Sequence, residues 1–212
     1  MQKTVRTVLA VAFTLGSGIA LAQSGKGATY ITAEEVQTVN SQPGIDRTIR
    51  VVDIGSENFA VGILHRGKTG APAASGAAGG AAPAATPEEP CGDPASTPPP
   101  AGTPGGIYHE SQTEGYLITS GGGTLVTGGR IVNGRKTGPD SEVTTTLNGP
   151  SCSGSIMGAD VVQKVVKVGD IIIIPAGVPH GWSDIPDHVD YLTFRPSDHI
   201  LEAGYVHPSI KK

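Results

Sequence analysis

One run of the chain is built to aim a histidine. Gly169-Asp170 reads as a hairpin turn, Ile171 to Ile174 as a β-branched strand buried on both faces, and Pro175 and Gly177 as a sharp reversal. The next strand then opens at His180, with its imidazole directed inward. The remaining residues of chemical interest exclude more than they assign. There is no Ser-His-Asp order, phosphate loop or Cys-x-x-Cys pair. Gly121-Gly122-Gly123 lies between strand-like runs rather than before a helix, so it is no dinucleotide fingerprint. His188, His199 and His207 stand beside Asp, Pro or Gly in polar segments and read as surface groups.

The elements that must position His180 are short and mostly β. Thr32-Ala33-Glu34-Glu35 matches a capping box, which predicts a helix from Ala33 to about Asn40. Strands are expected over Arg47 to Ile54 and Asn58 to Arg66. In the second, Val61, Ile63 and His65 share one face, and Gly62 and Leu64 the other. Further strands are expected at Glu114 to Thr119, Thr124 to Thr127, Arg130 to Asn133, Val161 to Val168, Ile171 to Ile174, His180 to Ser183 and Val189 to Arg195. Gly121 to Gly123 reads as a turn, and residues 134 to 158 as a long polar loop. Many short strands separated by glycine turns predict an all-β sandwich or barrel.

Composition sets the remaining bounds. The 212 residues include 31 Gly and 17 Pro. Much of that excess lies between Gly67 and Gly106, a stretch without one large apolar residue, which cannot bury enough surface to offset its ordering entropy. It reads as an extended, mobile insertion with Cys91 as its one tether. The start of the chain reads as an export signal over residues 1–22: Lys3 and Arg6, an apolar stretch, then Ala20-Leu21-Ala22 before the cut. Residues 23–46 form an N-terminal segment, and 47–212 the barrel with its insertion. Removal of Lys3 and Arg6 would take the net charge from −4 to −6. That balance argues against a nucleic-acid partner, and no later segment is apolar enough to span a bilayer. In an oxidising compartment Cys91 and Cys152 would either form one bridge or remain two thiols.

The segment from Gly169 to His180 resembles the second motif of the cupins: Gly169, Pro175, Gly177 and His180 occupy every fixed position. His109, Glu114 and Gly121 match the second half of the family's first motif, whereas Ile107 stands where its first histidine belongs. The resemblance covers about residues 47 to 196 apart from the insertion. It implies an all-β, single-domain fold, the double-stranded β-helix or jelly-roll barrel. It also implies that His109, Glu114 and His180 hold one divalent metal ion. Two imidazoles and a carboxylate suit Fe, and are tolerated by Mn, Zn or Ni. His65 is a candidate fourth ligand. Trp182 would line the same pocket, and Arg195, ending the last strand, could receive an anionic substrate. A metal-dependent oxygenase, isomerase or lyase acting on a small organic molecule is one functional expectation. The other is a non-catalytic module binding a sugar or organic acid, with a structural metal or none. Homodimers by strand exchange or sheet packing follow from the resemblance alone.

Overall fold

The computed structural model describes residues 27–70 and 89–210. The expected export signal and residues 71–88 of the insertion lie outside the described residues. The capping box forms as expected: the Thr32 hydroxyl accepts from the Glu35 amide, and the Glu35 carboxylate from the Thr32 amide, opening helix α1, Ala33–Asn40. Eleven strands follow: β1 (Asp46–Asp53), β2 (Asn58–Gly67), β3 (Pro90–Cys91), β4 (Gly105–His109), β5 (Glu114–Thr127), β6 (Arg130–Lys136), β7 (Ser151–Met157), β8 (Val162–Lys167), β9 (Ile171–Ile174), β10 (His180–Asp184) and β11 (His188–Pro196).

All named strand pairs are antiparallel, and β5 belongs to both halves of the barrel. Its first half pairs with β9 and β11, and β11 leads on through β2 to β1. Its second half pairs with β8 and β10, and β10 leads on through β4 and β7 to β6 and β3. The two sheets close over a core of Leu64, Tyr116, Ile118, Leu125, Val166, Ile174, Val189 and Tyr191. This is the double-stranded β-helix expected of a cupin. Helix α1 covers the outside of β1 and β2 through Val39, Ile49 and Ile63.

The glycine run read as a turn is the corner of one continuous strand. Gly121 has φ +63°, and a Cβ there would stand 2.0 Å from the His188 carbonyl oxygen. At Gly122 and Gly123 it would stand 2.5 Å from the carbonyls of Val166 and Asp184. The three residues let β5 pass between two sheets while neighbouring backbone crowds it. Gly121→Ala is therefore expected to cost more than about 2 kcal/mol, since left-handed strain alone is worth roughly 1–2 and the carbonyl clash adds to it. Gly169→Ala makes the control. Gly169 also has a positive φ, of +89°, but nothing lies within 4 Å of its Cβ position, so it should show the strain alone. Urea unfolding of the two variants checks this; equal losses would refute it.

Three other expectations change. Residues 134–158 are not one loop, because Ser151–Met157 is inserted between β4 and β6 and buries Cys152 and Ile156. The β9 run is buried on one face only. Ile174 is 2% exposed and packs with Ile172 on the core, but Ile171 is 71% and Ile173 67% exposed, because they alternate onto the outer face of the sheet. Finally, the described end of the insertion is not free. Pro90 and Cys91 pair with Arg135 and Gly134 of β6, the Asp93 amide donates to the Ile131 carbonyl, and Asp93 meets Arg130 at 2.8 Å. The unpaired edge of β6 offers the hydrogen bonds that this apolar-poor segment cannot make with itself. A Cys91–Cys152 disulfide fastens it to β7.

Candidate metal centre

His109 ends β4, Glu114 opens β5 and His180 opens β10. The Pro175–Gly177 turn fixes two of them at once, because the Gly177 amide donates to the His109 carbonyl at 2.8 Å. Gly177 has φ +78°, the left-handed conformation that glycine adopts at little cost. His109, Glu114 and His180 are 2%, 2% and 5% exposed. One ligand atom from each lies within 4.8 Å of the other two. His109 Nε2 is 3.3 Å and His180 Nε2 3.1 Å from the same oxygen, Glu114 Oε2.

Hydrogen bonding assigns the protons. The Ser151 hydroxyl donates to the Gly149 carbonyl at 2.8 Å, so its oxygen can only accept from His109 Nδ1, also at 2.8 Å. His180 Nδ1 faces the Val178 carbonyl at 3.0 Å, a pure acceptor, and must donate to it. Both neutral imidazoles thus turn an unprotonated Nε2 toward a carboxylate oxygen. Three lone-pair-bearing atoms converging in a buried space repel one another unless a cation stands among them. Supplying that charge by protonating His109 is costly here. Burial pushes His109 below its ordinary pKa, against the pull of Glu114.

Glu114 itself is held as an anion. Burial alone would raise its pKa, but the Arg195 guanidinium is the largest influence against it, and the carboxyl is held well below the usual range. Arg195 Nε donates to Oε1 at 2.7 Å and the Tyr116 hydroxyl to Oε2 at 2.8 Å. Burial and the neighbouring carboxylate push the Tyr116 phenol well above its ordinary value, so it stays a donor. The donor set, the outer hydrogen bonds that fix both tautomers and the enforced charge on Glu114 all fit a divalent cation.

The structure does not bring the other candidates to this cluster in the expected roles. His65 leaves the opposite face of β2: its Nδ1 meets Asp190, its ring stacks on His188 at 6.1 Å, and 49% of the side chain is exposed. Arg195 is 0% exposed and cannot receive a substrate, because Nε, Nη1 and Nη2 already donate to Glu114, the Leu147 carbonyl and Asp46. It is a positioning residue for Glu114. Trp182 does face the barrel interior, with Nε1 3.4 Å from the Tyr191 hydroxyl. Ile107 is paired with His180, so an aliphatic side chain occupies the position of the missing motif ligand. His199 is exposed, as expected of a surface group.

Tyr116, Ser151 and Asp46 escaped sequence reasoning. Tyr116 was within reach of it, since it follows Glu114 by two and so shares its face. Ser151 and Asp46 depend on strand register that no local pattern reveals.

No family model and no curated protein matches the chain. Among solved structures it is similar to a double-stranded β-helix protein from Klebsiella pneumoniae, at 13% identity over 82% of this chain and 94% of that one, with TM-score 0.32. A Bacillus halodurans protein gives 14% identity over 85% and 89%, with TM-score 0.39. An oxalate oxidase in complex with the substrate analogue glycolate gives 10% over 85% and 65%, with TM-score 0.36. Likeness of this degree bears on no residue of the site.

Proposed function

We propose that this chain is an exported cupin that holds one divalent metal ion through His109, Glu114 and His180 and acts as a metal-dependent enzyme on a small organic substrate. The observation that carries the proposal is the convergence of two Nε2 lone pairs on one ionised carboxylate, with both Nδ1 protons committed elsewhere. A bound ion supplies Lewis acidity there, and three protein ligands leave further positions open. The chain's own residues do the preparation. Ser151 and the Val178 carbonyl orient the rings, Arg195 keeps Glu114 charged, and the Tyr116 hydroxyl donates to Oε2. Export is supported by the leader-like first 22 residues and by the Cys91–Cys152 bridge, which suits an oxidising compartment. No helix among the described residues is long and apolar enough to cross a membrane.

Elemental analysis of protein purified without chelator should find close to one Fe, Mn, Zn or Ni per chain. The His109→Ala, His180→Ala double variant should carry none while keeping its β circular dichroism. Ser151→Ala should keep the three ligands but weaken metal affinity about 10–100-fold, the usual cost of losing an outer hydrogen bond to a metal histidine. Wild-type protein with no metal and no affinity for added Fe(II), Mn(II), Zn(II) or Ni(II) would end the proposal. Metal-loaded protein without turnover in oxygen-dependent and oxygen-independent screens would favour a binding module instead.

A further inference from the structure

The arginine able to meet a ligand is a different one from Arg195. Arg66, the penultimate residue of β2, sends its side chain into the barrel, where Nε donates to the Tyr191 hydroxyl at 3.2 Å. Tyr191 is itself 1% exposed; its ring lies 4.5 Å from that of Tyr116 and 5.7 Å from that of Trp182. Tyr116 in turn donates to Glu114. Arg66 therefore stands in the same interior as the three ligands, joined to them through two phenols in tilted contact. Unlike Arg195, it makes no ion pair among the described residues, and only its Nε has a hydrogen bond there. Both terminal nitrogens remain, which is the pair that forms a forked contact with a carboxylate. Arg66 is partly exposed.

The charge balance points the same way. Arg195 pairs with two carboxylates, Glu114 and Asp46, and the unpaired Arg66 brings the positive charges of this group to two, so the four cancel. A divalent ion adds two positive charges that no residue of the cluster matches.

We propose that the barrel accepts a small carboxylate ligand and that Arg66 is its receptor, with Trp182 and Tyr191 as the apolar wall beside it. This rests on the metal-site reading for the ligand's second attachment, but the contribution of Arg66 does not.

The test uses malonate as probe and malonamide as its uncharged counterpart, on the exported chain both metal-loaded and metal-free. Trp182 is the only tryptophan in the chain, so its fluorescence reports on this wall directly, and calorimetry supplies an independent binding constant. Malonate is expected to bind saturably and to change Trp182 emission, whereas malonamide at the same concentrations does neither. Arg66→Gln should weaken malonate at least about 10-fold by calorimetry, as for a lost charge-assisted hydrogen bond, with metal content unchanged. Arg66→Lys should recover part of the affinity. Equal binding of malonate and malonamide, no binding of either, or wild-type affinity in Arg66→Gln would overturn the proposal. Should the protein hold no metal, that failure shows in the elemental analysis. The Arg66 dependence must then still appear in the metal-free titration, and its absence there also overturns the proposal.

Discussion

Replacing Arg195 with methionine is expected to remove about 3–5 kcal/mol of folding stability, the usual cost of leaving one partner of a buried ion pair alone. The residue is 0% exposed and donates to two carboxylates and a carbonyl. Methionine fills much of the volume but satisfies none of these groups. Glu114 then keeps only the Tyr116 hydroxyl as a donor, and Asp46 loses its ion-pair partner. For Glu114 the sign follows from its surroundings. Burial raises its pKa and Arg195 is the largest influence lowering it, so removing Arg195 lets burial act and the carboxyl rises. The melting temperature should fall by about 6–20 °C, at roughly 2–4 °C per kcal/mol for a domain of this size.

A cycle with Glu114→Gln separates charge loss from packing loss. In wild type Glu114→Gln breaks the pair from the other side. In Arg195→Met it removes a stranded charge, so the second substitution should cost at least about 1 kcal/mol less there. Additive losses would mean that Arg195 is held by packing alone. A melting temperature equal to wild type would remove it from the support of the site altogether. Because Glu114 is a proposed ligand, Arg195→Met that remains folded should also bind metal more weakly.

Arg195 shows what the sequence could and could not reveal. Its place at the end of the last strand was legible from the alternating run Val189 to Arg195, but its partner Asp46 stands 149 residues earlier. Only sheet closure brings them together. The Gly169–His180 turn was legible in full, because every feature that shapes it is local: a hairpin glycine, a proline-fixed φ and a left-handed glycine. Gly121-Gly122-Gly123 is local too, yet ambiguous, since the same residues suit a hairpin and a corner in a continuous strand. Crowding by three neighbouring carbonyls decides between them, and those come from distant strands.

In β2 the alternation is legible and the inward face is not. Val61 and Ile63 look like the core face because Gly62 adds no apolar signal opposite them. In fact they pack against α1, while Leu64 and Arg66 reach the barrel interior. A strand covered on both sides has no polar face to reveal its direction. That is why the sequence offers His65 as a candidate ligand and gives no signal for Arg66.

Removing the Cys91–Cys152 bridge in a Cys91→Ser, Cys152→Ser variant should be the other large loss of stability. The bridged residues are 61 apart, and a loop of that length corresponds to about 4 kcal/mol of denatured-state entropy in the chain-closure treatment. The bridge spans part of the insertion and the strands β4, β5 and β6, so it restrains much of the chain in the unfolded state. In the folded state its effect is more local. Cys152 is 0% exposed and packs with Val126, Ile131 and Ile156, so a buried serine adds a desolvation cost. Cys152→Ala with Cys91→Ala isolates the loop term by avoiding that hydroxyl. Its loss should be smaller than that of the serine pair but still at least about 2 kcal/mol.

The bridge also lies next to the site. Cys152 is adjacent to Ser151, which fixes the His109 ring, yet β7 is held by β4 on one side and β6 on the other without any sulfur. Metal content at 25 °C should therefore survive in the alanine pair even as the melting temperature falls. Loss of both together would mean that the bridge, rather than the sheet, holds Ser151 in register. An unchanged melting temperature would mean that the insertion is equally restrained without its covalent tie. Separate responses would show that one Gly- and Pro-rich segment stabilises the barrel from outside while the ligand cluster is positioned from within.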